Sequence, residues 1–378
     1  MHPTFDTIVL GAGALGSAAA YYLAKRGQTV LVIEQFELNH QKGSSYGMSR
    51  IIRYAYDQIN YVELMKSAYT LWAEIESESN TRLFTKTGGI DFGKPSEVLI
   101  QSIRSTLETA SIAYEKLSPE VARQMFPQFR FRDDWEVIFQ EDAGILEASA
   151  CVIAHIDLAK SLGVEFRPNT IIKHIHPQND HVIITTDKGT FSAGNIVIAA
   201  GGWMQSILQE IGLNLPLKPM RCQESYYETD DIQKFGSEQF PTFIAHVRDE
   251  FGFLPYGMAS IRDSGLKIGL HGGTTVNHPS EIDYTVDQNT IEKVLLFASK
   301  TLPSVSGLKS ARICLYTMTP DEHFIIDKHP QYPHIVMAGG CSGHAFKFST
   351  LIGKILSELV IDRYTKHNID MFSVQRFL

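Results

Sequence analysis

The sequence predicts a mixed α/β fold in which a domain built on a parallel sheet is interleaved with a second domain of mainly antiparallel strands. Two observations lead to this prediction. The chain opens with a complete strand–helix–strand unit, and apolar strands able to extend that sheet return only near residues 195 and 335. Between these segments, short strands alternate in polarity, a pattern typical of antiparallel sheets.

Length, composition and charge narrow the class of protein. The chain has 378 residues, which suffices for two or three domains of about 150 residues each. Its 34 Lys and Arg against 42 Asp and Glu give a net charge of −8, which argues against a nucleic acid or an anionic membrane as partner. The four cysteines form no CxxC pair, which favours a reducing compartment. We therefore predict a cytoplasmic protein without a metal site.

The N-terminal unit justifies the first part of the fold prediction. The apolar runs Asp6–Leu10 and Thr29–Ile33 predict two neighbouring buried strands, and Ser17–Arg26 between them predicts a helix. The turn that enters this helix reads GAGALG (11–16), and Glu34 follows the second strand. A GxGxxG turn between a strand and a helix, with an acidic residue about 20 positions later, is the Rossmann-type fingerprint of a dinucleotide site.

Each residue of this fingerprint has a physical role. Gly11 permits the tight turn, Gly13 lets the backbone approach a pyrophosphate, and Gly16 lets the helix pack closely on the strand. The helix N-terminus offers free N–H groups and a positive potential to the phosphates. Glu34 can accept hydrogen bonds from ribose hydroxyls and would repel a 2′-phosphate, so NADP is disfavoured.

The rest of the chain does not continue this strand–helix alternation. Residues 85–147 predict short strands with one helix, and residues 221–322 predict an antiparallel sheet. The dinucleotide domain is therefore predicted to comprise three segments, 1–84, 148–220 and 323–378. The second domain is predicted to comprise 85–147 and 221–322.

Six further elements follow from apolar patterning and turn signals. They are helices over 61–76, 151–162 and 349–364, a hairpin over 182–191, and buried strands over 195–203 and 335–340. Both buried strands end in glycines, so we expect them to rejoin the first sheet.

Two groups of polar residues are candidates for chemistry. Arg50 and Arg53 lie three apart, so on a helical turn they would share a face suited to a carboxylate or phosphate. The alternative is a structural ion pair. A second group follows Cys314 and ends in a glycine-rich turn that enters a helix, which is another candidate cofactor site. In this turn Lys347 is a candidate cation for a substrate acid or a flavin, or else a helix lysine that reaches solvent.

These residues together make the chain similar to the family of monomeric sarcosine oxidase and N-methyltryptophan oxidase. The similarity extends over nearly the whole sequence, beginning with GAGALG (11–16). The other segments that carry it are GSSYGMSRIIRYAY (43–56), FTKTGG (84–89), SGLKIGLH (264–271), CLYTMTPDEHFIID (314–327) and SGHAFKFS (342–349). The last two are the most specific, because many flavin and nicotinamide enzymes share GxGxxG. The chain departs from the family at Ser45, Tyr46 and Met48, where relatives usually carry two histidines and an aspartate.

The resemblance implies a flavoprotein with a Rossmann-type FAD-binding domain and a mixed-sheet substrate domain. In that family a cysteine sulfur tethers the flavin, and Cys314 occupies the matching position. A lysine of that family assists dioxygen reduction, and Lys267 occupies its position. The resemblance implies that Arg53 and Lys347 hold the substrate carboxylate. The matching residues near the substrate are Tyr256, His271 and Tyr316, and those implied to contact FAD are Ser44, Arg50, Ile171, Gly343 and Lys347.

The resemblance also implies a reaction. It is the oxidation of a secondary amine, either an N-methyl amino acid or a cyclic imino acid, to an imine, with dioxygen reduced to hydrogen peroxide. One alternative is a flavin-dependent dehydrogenase, or an oxidase of the glycine or D-amino-acid type that acts on a primary amine. A non-catalytic dinucleotide sensor is a third hypothesis. The presence together of Cys314, Lys267, Arg53 and Lys347 argues against it. The expected partners are a small amino-acid substrate and dioxygen, with the protein acting as a single chain.

Overall fold

The computed structural model describes residues 2–378 and contains both helices and strands in three sheets. The helices are α1 Ala14–Lys25, α2 Ile59–Ser79, α3 Val98–Thr109, α4 Pro119–Met125, α5 Ala148–Ser161, α6 Met204–Glu210, α7 Arg248–Phe251, α8 Gln288–Thr301 and α9 Ser349–Ile361. The strands are β1 Thr4–Leu10, β2 Val30–Ile33, β3 Arg50–Ile52, β4 Phe84–Lys86, β5 Gly89–Gly93, β6 Glu115–Leu117, β7 Glu136–Gln140, β8 Gly144–Leu146, β9 Glu165–Arg167, β10 Ile172–Pro177, β11 Val182–Thr186, β12 Gly189–Ile198, β13 Lys218–Thr229, β14 Thr242–His246, β15 Leu254–Met258, β16 Leu266–His271, β17 Thr274–Thr275, β18 Val305–Met318, β19 Ile325–Lys328 and β20 Ile335–Gly339.

The first sheet has eight strands and a parallel centre. Its order is β10-β11-β12-β1-β2-β9, and β20 pairs with both β12 and β19. The pairs β1–β2, β1–β12, β2–β9 and β12–β20 are parallel, whereas β10, β11 and β19 join antiparallel. Strands β1, β2 and β20 are apolar along most of their length because helices cover the sheet. Helices α1 and α9 pack so closely that a Cβ on Gly353 would lie 2.5 Å from the Cβ of Ala18.

The second sheet has nine strands and is mostly antiparallel. Its order is β17-β13-β16-β15-β14-β5-β7-β6, and the long strand β18 pairs with β13. Only the β5–β14 pair is parallel among the described pairs of this sheet. Its core is rich in stacked and edge-to-face aromatic rings, among them Phe92, Phe129, Phe240 and Phe243. A small sheet of β3, β8 and β4 carries Arg50 at the start of β3.

The predicted mixed α/β fold is confirmed, and the three apolar runs near residues 6, 195 and 335 do meet in one sheet. The predicted hairpin is also present, but its second strand continues to Ile198, so residues 189–198 are one strand and 201–203 form a 3₁₀ turn. Asn195 therefore does not begin a separate strand. The boundaries predicted from the sequence for the two domains remain a prediction.

Three local predictions were wrong. Residues 85–147 contain two helices, because Ser118 accepts a hydrogen bond from the Val121 N–H and Pro119 begins an additional short helix, α4. Helix α8, capped by Asp287, interrupts the region predicted to be antiparallel strand. Arg50 and Arg53 do not share a helical face, because Arg50 begins strand β3 and Arg53 follows it. Among residues 2–378, no helix is both long enough and apolar enough to cross a lipid bilayer.

Candidate active site

A cavity of about 330 Å³ lies at the carboxyl ends of the parallel strands of the first sheet. Leu10, Ile33 and Gly339, at the ends of β1, β2 and β20, line it, as does Ala199 just after β12. Ligands of open parallel sheets bind at this edge, where strand order reverses. The cavity therefore lies where the fingerprint in the sequence predicts a dinucleotide.

The glycines of the fingerprint fit that role. Gly11 has a φ of +101°, and a Cβ there would lie 2.6 Å from the carbonyl oxygen of Ala199. A Cβ on Gly16 would lie only 1.9 Å from the Gly11 carbonyl oxygen. A side chain at Gly16 would therefore force α1 away from the end of β1, and one at Gly11 would collide with the backbone that follows β12. Gly13 lines the cavity immediately before α1, so the N-terminus of this helix faces the space where the fingerprint predicts a phosphate.

Two side chains fix the backbone amides around this turn. Glu34 accepts hydrogen bonds from the Ala12 N–H at 2.9 Å and from the Phe36 N–H at 3.0 Å. The hydroxyl of Ser45 accepts a hydrogen bond from the Ala14 N–H at 2.9 Å. Both Glu34 and Ser45 line the cavity. Glu34 is thus held in place by two amides while its oxygens keep lone pairs for ribose hydroxyls.

A second cavity, of about 520 Å³, adjoins the first. It lies over one face of the second sheet and includes Lys267 and Cys314 in its lining. The residues that line both cavities are Ser44, Arg50, Tyr316, Gly343, His344 and Phe346. The two cavities therefore meet, and a cofactor held in the first can present its far end to a substrate in the second.

Lys267 lines the second cavity and belongs to a buried ionic cluster that includes Arg50, one of the residues lining both cavities. Its Nζ lies 3.0 Å from Oε2 of Glu224 and donates a hydrogen bond to the Ser49 carbonyl oxygen, also at 3.0 Å. The side chains of Lys267 and Glu224 are each 2% exposed. Arg50 and Arg312 contact the same carboxylate at 3.4 Å and 2.5 Å, so one anion is shared by three cations.

Burial and charge shift the pKa values of this cluster. Burial opposes ionisation of Glu224, but Lys267, Arg50 and Arg312 outweigh it and hold its pKa well below the usual range. Burial of Lys267, together with repulsion from the charge of Arg50, lowers the pKa of Lys267 to about 8. Attraction to Glu224 offsets only part of this decrease. Lys267 is therefore poised to gain or lose its charge near neutral pH.

Arg53 and Lys347 both contact Tyr56. The Arg53 guanidinium lies over the Tyr56 ring at 4.9 Å, and Lys347 Nζ donates to the Tyr56 hydroxyl at 2.9 Å. Lys347 also donates to the His344 carbonyl oxygen at 2.8 Å. Burial, with the charge of Arg53, lowers the pKa of Lys347 well below its ordinary value. A carboxylate between these two cations would relieve their repulsion.

Cys314 lies on β18 directly opposite Cys222 on β13. Cys314 is partly exposed and lines the second cavity, whereas Cys222 is buried. Burial and the charge of Glu224 raise the pKa of Cys314 to about 11, against the opposing effect of three nearby cations. Cys314 is thus the cysteine of this pair that can reach a molecule bound in the cavity.

The structure brings most of the predicted site residues to these two cavities. Tyr256, His271 and Tyr316 line the second cavity, and the rings of His271 and Tyr316 are 5.8 Å apart. The predicted cofactor residues that line the first cavity are Gly11, Gly13, Glu34, Ser44, Arg50, Ile171 and Gly343. Lys347, predicted to contact both ligands, lines the second cavity, and Gly16 packs α1 on β1 behind the turn.

Sequence reasoning missed four charged or polar residues that line the second cavity or contact a residue that does. They are Asp91, Glu224, His246 and Arg312. Glu224 lies in the middle of β13 between residues that are themselves buried, and a lone acid inside such a strand is the signal that could have singled it out. Asp91 in the run Gly89–Gly93 carries the same signal.

Comparisons with known proteins agree with this geometry. Residues 6–359 match the family described as FAD dependent oxidoreductase. The chain is 34% identical to the monomeric sarcosine oxidase of Bacillus sp. (strain NS-129), covering 100% of this chain and 98% of that protein. It is 28% identical to the N-methyl-L-tryptophan oxidase of Salmonella dublin over 99% of both chains.

A solved structure shows the same architecture. The open form of NikD, described as an unusual amino acid oxidase essential for nikkomycin biosynthesis, superposes with a TM-score of 0.88 at 25% identity. The superposition covers 98% of this chain and 97% of NikD. The resemblance inferred from the sequence motifs is therefore confirmed, and the chain belongs to the FAD dependent oxidoreductase family, as a relative of monomeric sarcosine oxidase.

Proposed function

We propose that this FAD-dependent oxidoreductase oxidises the secondary amine of an N-methyl amino acid or a cyclic imino acid, and that dioxygen is reduced to hydrogen peroxide. The observation that carries the proposal is the junction of the two cavities. The dinucleotide cavity opens, through Arg50 and Tyr316, onto a second cavity that holds the cation pair Arg53 and Lys347. The similarity to sarcosine and N-methyltryptophan oxidases supports the choice of amine.

The residues of the chain would divide the work between binding and orientation. The glycine turn and Glu34 would hold the pyrophosphate and ribose of FAD, and Arg53 with Lys347 would hold the substrate carboxylate. FAD, when bound, supplies the redox chemistry by accepting a hydride equivalent from the amine and passing electrons to dioxygen. A carboxylate fixed at Arg53 and Lys347 orients the rest of the substrate, which lowers the entropic cost of reaching a reactive geometry. Water then hydrolyses the imine product.

We include Lys267 in this proposal as the cation beside which dioxygen is reduced. It lines the second cavity and shares Glu224 with Arg50, which lines both cavities, and burial lowers its pKa to about 8. A fixed positive charge at Nζ stabilises negative charge that develops on dioxygen during electron transfer. Its hydrogen bond to the Ser49 carbonyl oxygen fixes the position of that charge.

The function is tested most directly by peroxide production. We expect the purified protein to release hydrogen peroxide with at least one member of a panel of N-methyl and cyclic amino acids. It should release none with the corresponding fully N-methylated betaines, whose quaternary nitrogen has neither an N–H nor a lone pair. Coupled peroxidase detection and oxygen uptake provide two independent measurements. Absence of flavin reduction by every member of the panel under nitrogen would contradict the proposal.

Replacement of Arg53 tests the carboxylate site. Arg53→Ala removes one of the two buried cations at Tyr56, so we expect a small carboxylate such as acetate to bind about ten- to a hundredfold more weakly. The measurement is the dissociation constant from the perturbation of the flavin absorbance spectrum. Arg248→Ala is the matched control, because Arg248 lines the same cavity but is exposed. Equal losses in the two variants would contradict a specific role for Arg53.

The tether through Cys314 is a further part of the proposal, and it has its own test. We expect acid-denatured protein to keep its yellow colour in the precipitate, and Cys314→Ser to release all flavin to the supernatant. Cys222→Ser is the matched control because Cys222 lies directly across the strand pair yet is buried, so this variant should retain the flavin. Complete release of flavin from the wild type would refute the tether.

One observation favours a second candidate, a flavin-dependent dehydrogenase that passes electrons to another acceptor. Glu224 lies 3.0 Å from Lys267 and offsets part of its charge, which weakens its effect on dioxygen. The two candidates differ in the acceptor used by the reduced protein. Comparing its reoxidation by air-saturated buffer and by an artificial electron acceptor would distinguish them.

The domain division predicted from the sequence is also proposed here. The strands of the first sheet all lie within segments 1–84, 148–220 and 323–378. Those of the second sheet lie within 85–147 and 221–322, except that β13 begins at Lys218. The sheet memberships of β1, β12 and β20 and of β5 and β14 support this division. The cytoplasmic location and single-chain state stay predictions.

A further inference from the structure

A turn over residues 319–324, between β18 and β19, forms part of the wall of the second cavity. Asp321, Glu322 and His323 of this turn all line the cavity. Glu322 has a φ of +59°, in the left-handed region that residues with a side chain seldom adopt. Such a conformation persists only where the surrounding structure holds it, so contacts from outside the turn are needed.

Arg376 holds this turn from a different segment of the chain. Its Nη2 donates hydrogen bonds to the carbonyl oxygens of His323 at 3.0 Å and of Phe324 at 2.7 Å. Its Nε donates to Oδ2 of Asp321 at 2.8 Å. The planar guanidinium suits this work, because its donors have a fixed geometry and each can bind a different oxygen. Arg376 therefore fixes the turn at three of its residues.

The segment that carries Arg376 is itself anchored on the first sheet. Oδ2 of Asp327, on β19, accepts hydrogen bonds from the Ser373 hydroxyl at 2.7 Å and from the Val374 N–H at 2.9 Å. Nη1 of Arg376 donates to the Ser373 carbonyl oxygen at 2.7 Å. The guanidinium is thus fixed relative to β19, and only 19% of the Arg376 side chain is exposed.

Hydrogen bonds connect the turn to the proposed carboxylate site. The Glu322 carbonyl oxygen lies 3.0 Å from Nε2 of His344. Nδ1 of His344 lies 3.2 Å from the Tyr56 hydroxyl, and Lys347 Nζ donates to that hydroxyl at 2.9 Å. Lys347 is one of the two cations proposed to hold the substrate carboxylate. The hydrogen bonds therefore continue without a break from the turn to that cation.

The carbonyl acceptor gives this series of hydrogen bonds a direction. A carbonyl oxygen can only accept, so Nε2 of His344 carries the ring proton and Nδ1 of the neutral ring is an acceptor. Burial lowers the pKa of His344 well below its ordinary value, which keeps the ring neutral. The Tyr56 hydroxyl therefore donates to Nδ1 and keeps its lone pairs for Lys347 Nζ.

This arrangement determines which donor Lys347 can offer a substrate. Its ammonium has three N–H donors. Tyr56 uses one, and the His344 carbonyl oxygen uses another at 2.8 Å, which leaves one for a carboxylate. If the His344 ring turned, the Tyr56 hydroxyl would lose its acceptor. Its proton could then rotate toward Nζ, and Lys347 would lose a partner that fixes its position.

We propose that Arg376 is a positioning residue of the substrate carboxylate site. It holds the turn over 319–324. The carbonyl group of that turn orients His344, which sets the Tyr56 hydroxyl and through it Lys347. This inference rests on the proposed function, which assigns Lys347 to the substrate carboxylate. Loss of Arg376 should let the turn relax and remove the acceptor that orients the His344 ring.

The test measures acetate binding by the holoenzyme, from the perturbation of its flavin absorbance spectrum. Arg376→Gln should raise the dissociation constant about five- to tenfold, which corresponds to the loss of about one hydrogen bond. Arg376→Lys keeps a cationic donor for Asp321 and should raise it less. Arg26→Gln is the matched control, because Arg26 forms a bidentate ion pair with Asp362 and lines neither cavity. This control should leave acetate binding unchanged.

A double-mutant cycle separates positioning from a general structural effect. In the Lys347→Met background, Arg376→Gln should have no further effect on acetate binding, because the cation it positions is gone. Tyr56→Phe removes the hydroxyl in the middle of the series and should also abolish the effect of Arg376→Gln. If Arg376→Gln fails to fold, Asp321→Asn loosens the same turn with a smaller change and replaces it in the cycle.

The outcomes separate this inference from the proposed function. Acetate binding by Arg376→Gln within twofold of the wild type would overturn the positioning role alone, as would a loss of the same size in the Lys347→Met background. Failure of the wild type to oxidise any secondary amino acid would overturn the proposed function, and the positioning role with it.

Discussion

Replacing Lys267 by methionine is expected to slow reoxidation of the reduced protein by dioxygen by about 100- to 1000-fold, the usual effect of removing one preorganised charge or donor from a reacting oxygen. Methionine keeps the length and much of the volume of lysine, so the buried position stays filled. Flavin reduction by substrate should change far less, because the carboxylate contacts of Arg53 and Lys347 remain. Rapid mixing gives the two rates separately, one under nitrogen and one with oxygenated buffer.

Lys347→Met provides the contrast for this experiment. Lys347 lies at Tyr56 and His344, away from Glu224, so its loss should weaken substrate binding and reduction rather than reoxidation. Equal slowing of both half-reactions by Lys267→Met would rule out a specific role in dioxygen reduction. Unchanged reoxidation would instead favour the dehydrogenase candidate.

The pKa of Lys267 adds a pH dependence to this prediction. Because burial lowers the pKa of Lys267 to about 8, the side chain is charged below that pH and neutral above it. The wild-type rate of reoxidation should therefore fall as the pH rises through about 8. Lys267→Met should lack this fall, and an identical pH profile in both proteins would assign the titration to another group.

Replacing Glu224 by glutamine is expected to destabilise the fold by about 3 kcal/mol or more, because it leaves three buried or half-buried cations without their shared anion. Glutamine preserves the shape of the side chain, so lost charge is the main change. The measurement is the shift in the urea or thermal midpoint, followed by circular dichroism and by flavin fluorescence.

Glu136→Gln is the matched control for this substitution. Glu136 is as buried as Glu224, with 2% of its side chain exposed, but its partners Arg104 and Lys116 are 32% and 56% exposed. Water can solvate those cations when the anion is lost, so we expect a loss of about 1 kcal/mol. Similar losses in the two variants would contradict the importance of the buried cluster.

Acid should affect the wild type and Glu224→Gln differently. The pKa of Glu224 is depressed in the folded protein, so its stabilising contribution is complete above the usual glutamate value of about 4.3 and declines as the pH falls below it. The glutamine variant lacks this titration. The difference in stability between the two proteins should therefore stay constant from neutral pH down to about 4.3 and shrink below that pH.

Local patterns allowed the cofactor half of the site to be predicted. The close approach of Gly11 and Gly16 depends on residues five positions apart, so the sequence motif contains nearly all the information needed. Helix α1 and strands β1 and β2 could likewise be predicted from the local sequence pattern. The separate strands near residues 195 and 335 were assigned to the same sheet because parallel, helix-covered strands are apolar throughout.

The ionic partners could not be predicted in this way. Glu224 meets Lys267 only because β13 and β16 pair antiparallel, in a register that places Tyr226 opposite Lys267 and Glu224 two residues away on the same face. Asp91 and His246 are 155 positions apart and meet through the parallel β5–β14 pair. Resemblance identified Lys267 and Arg53 but not the carboxylates beside them, since strand pairing between distant segments sets those contacts.

The topology of the first sheet has a consequence for biosynthesis. Strand β12 pairs with β1 on one side and with β20 on the other, and β20 begins only at Ile335, far along the chain from the glycine turn at 11–16. A ribosome-bound nascent chain lacks β20 until residue 339 has been translated, so the glycine turn emerges long before its surroundings. We therefore expect coenzyme loading to be post-translational, and polypeptides truncated before residue 335 to remain colourless.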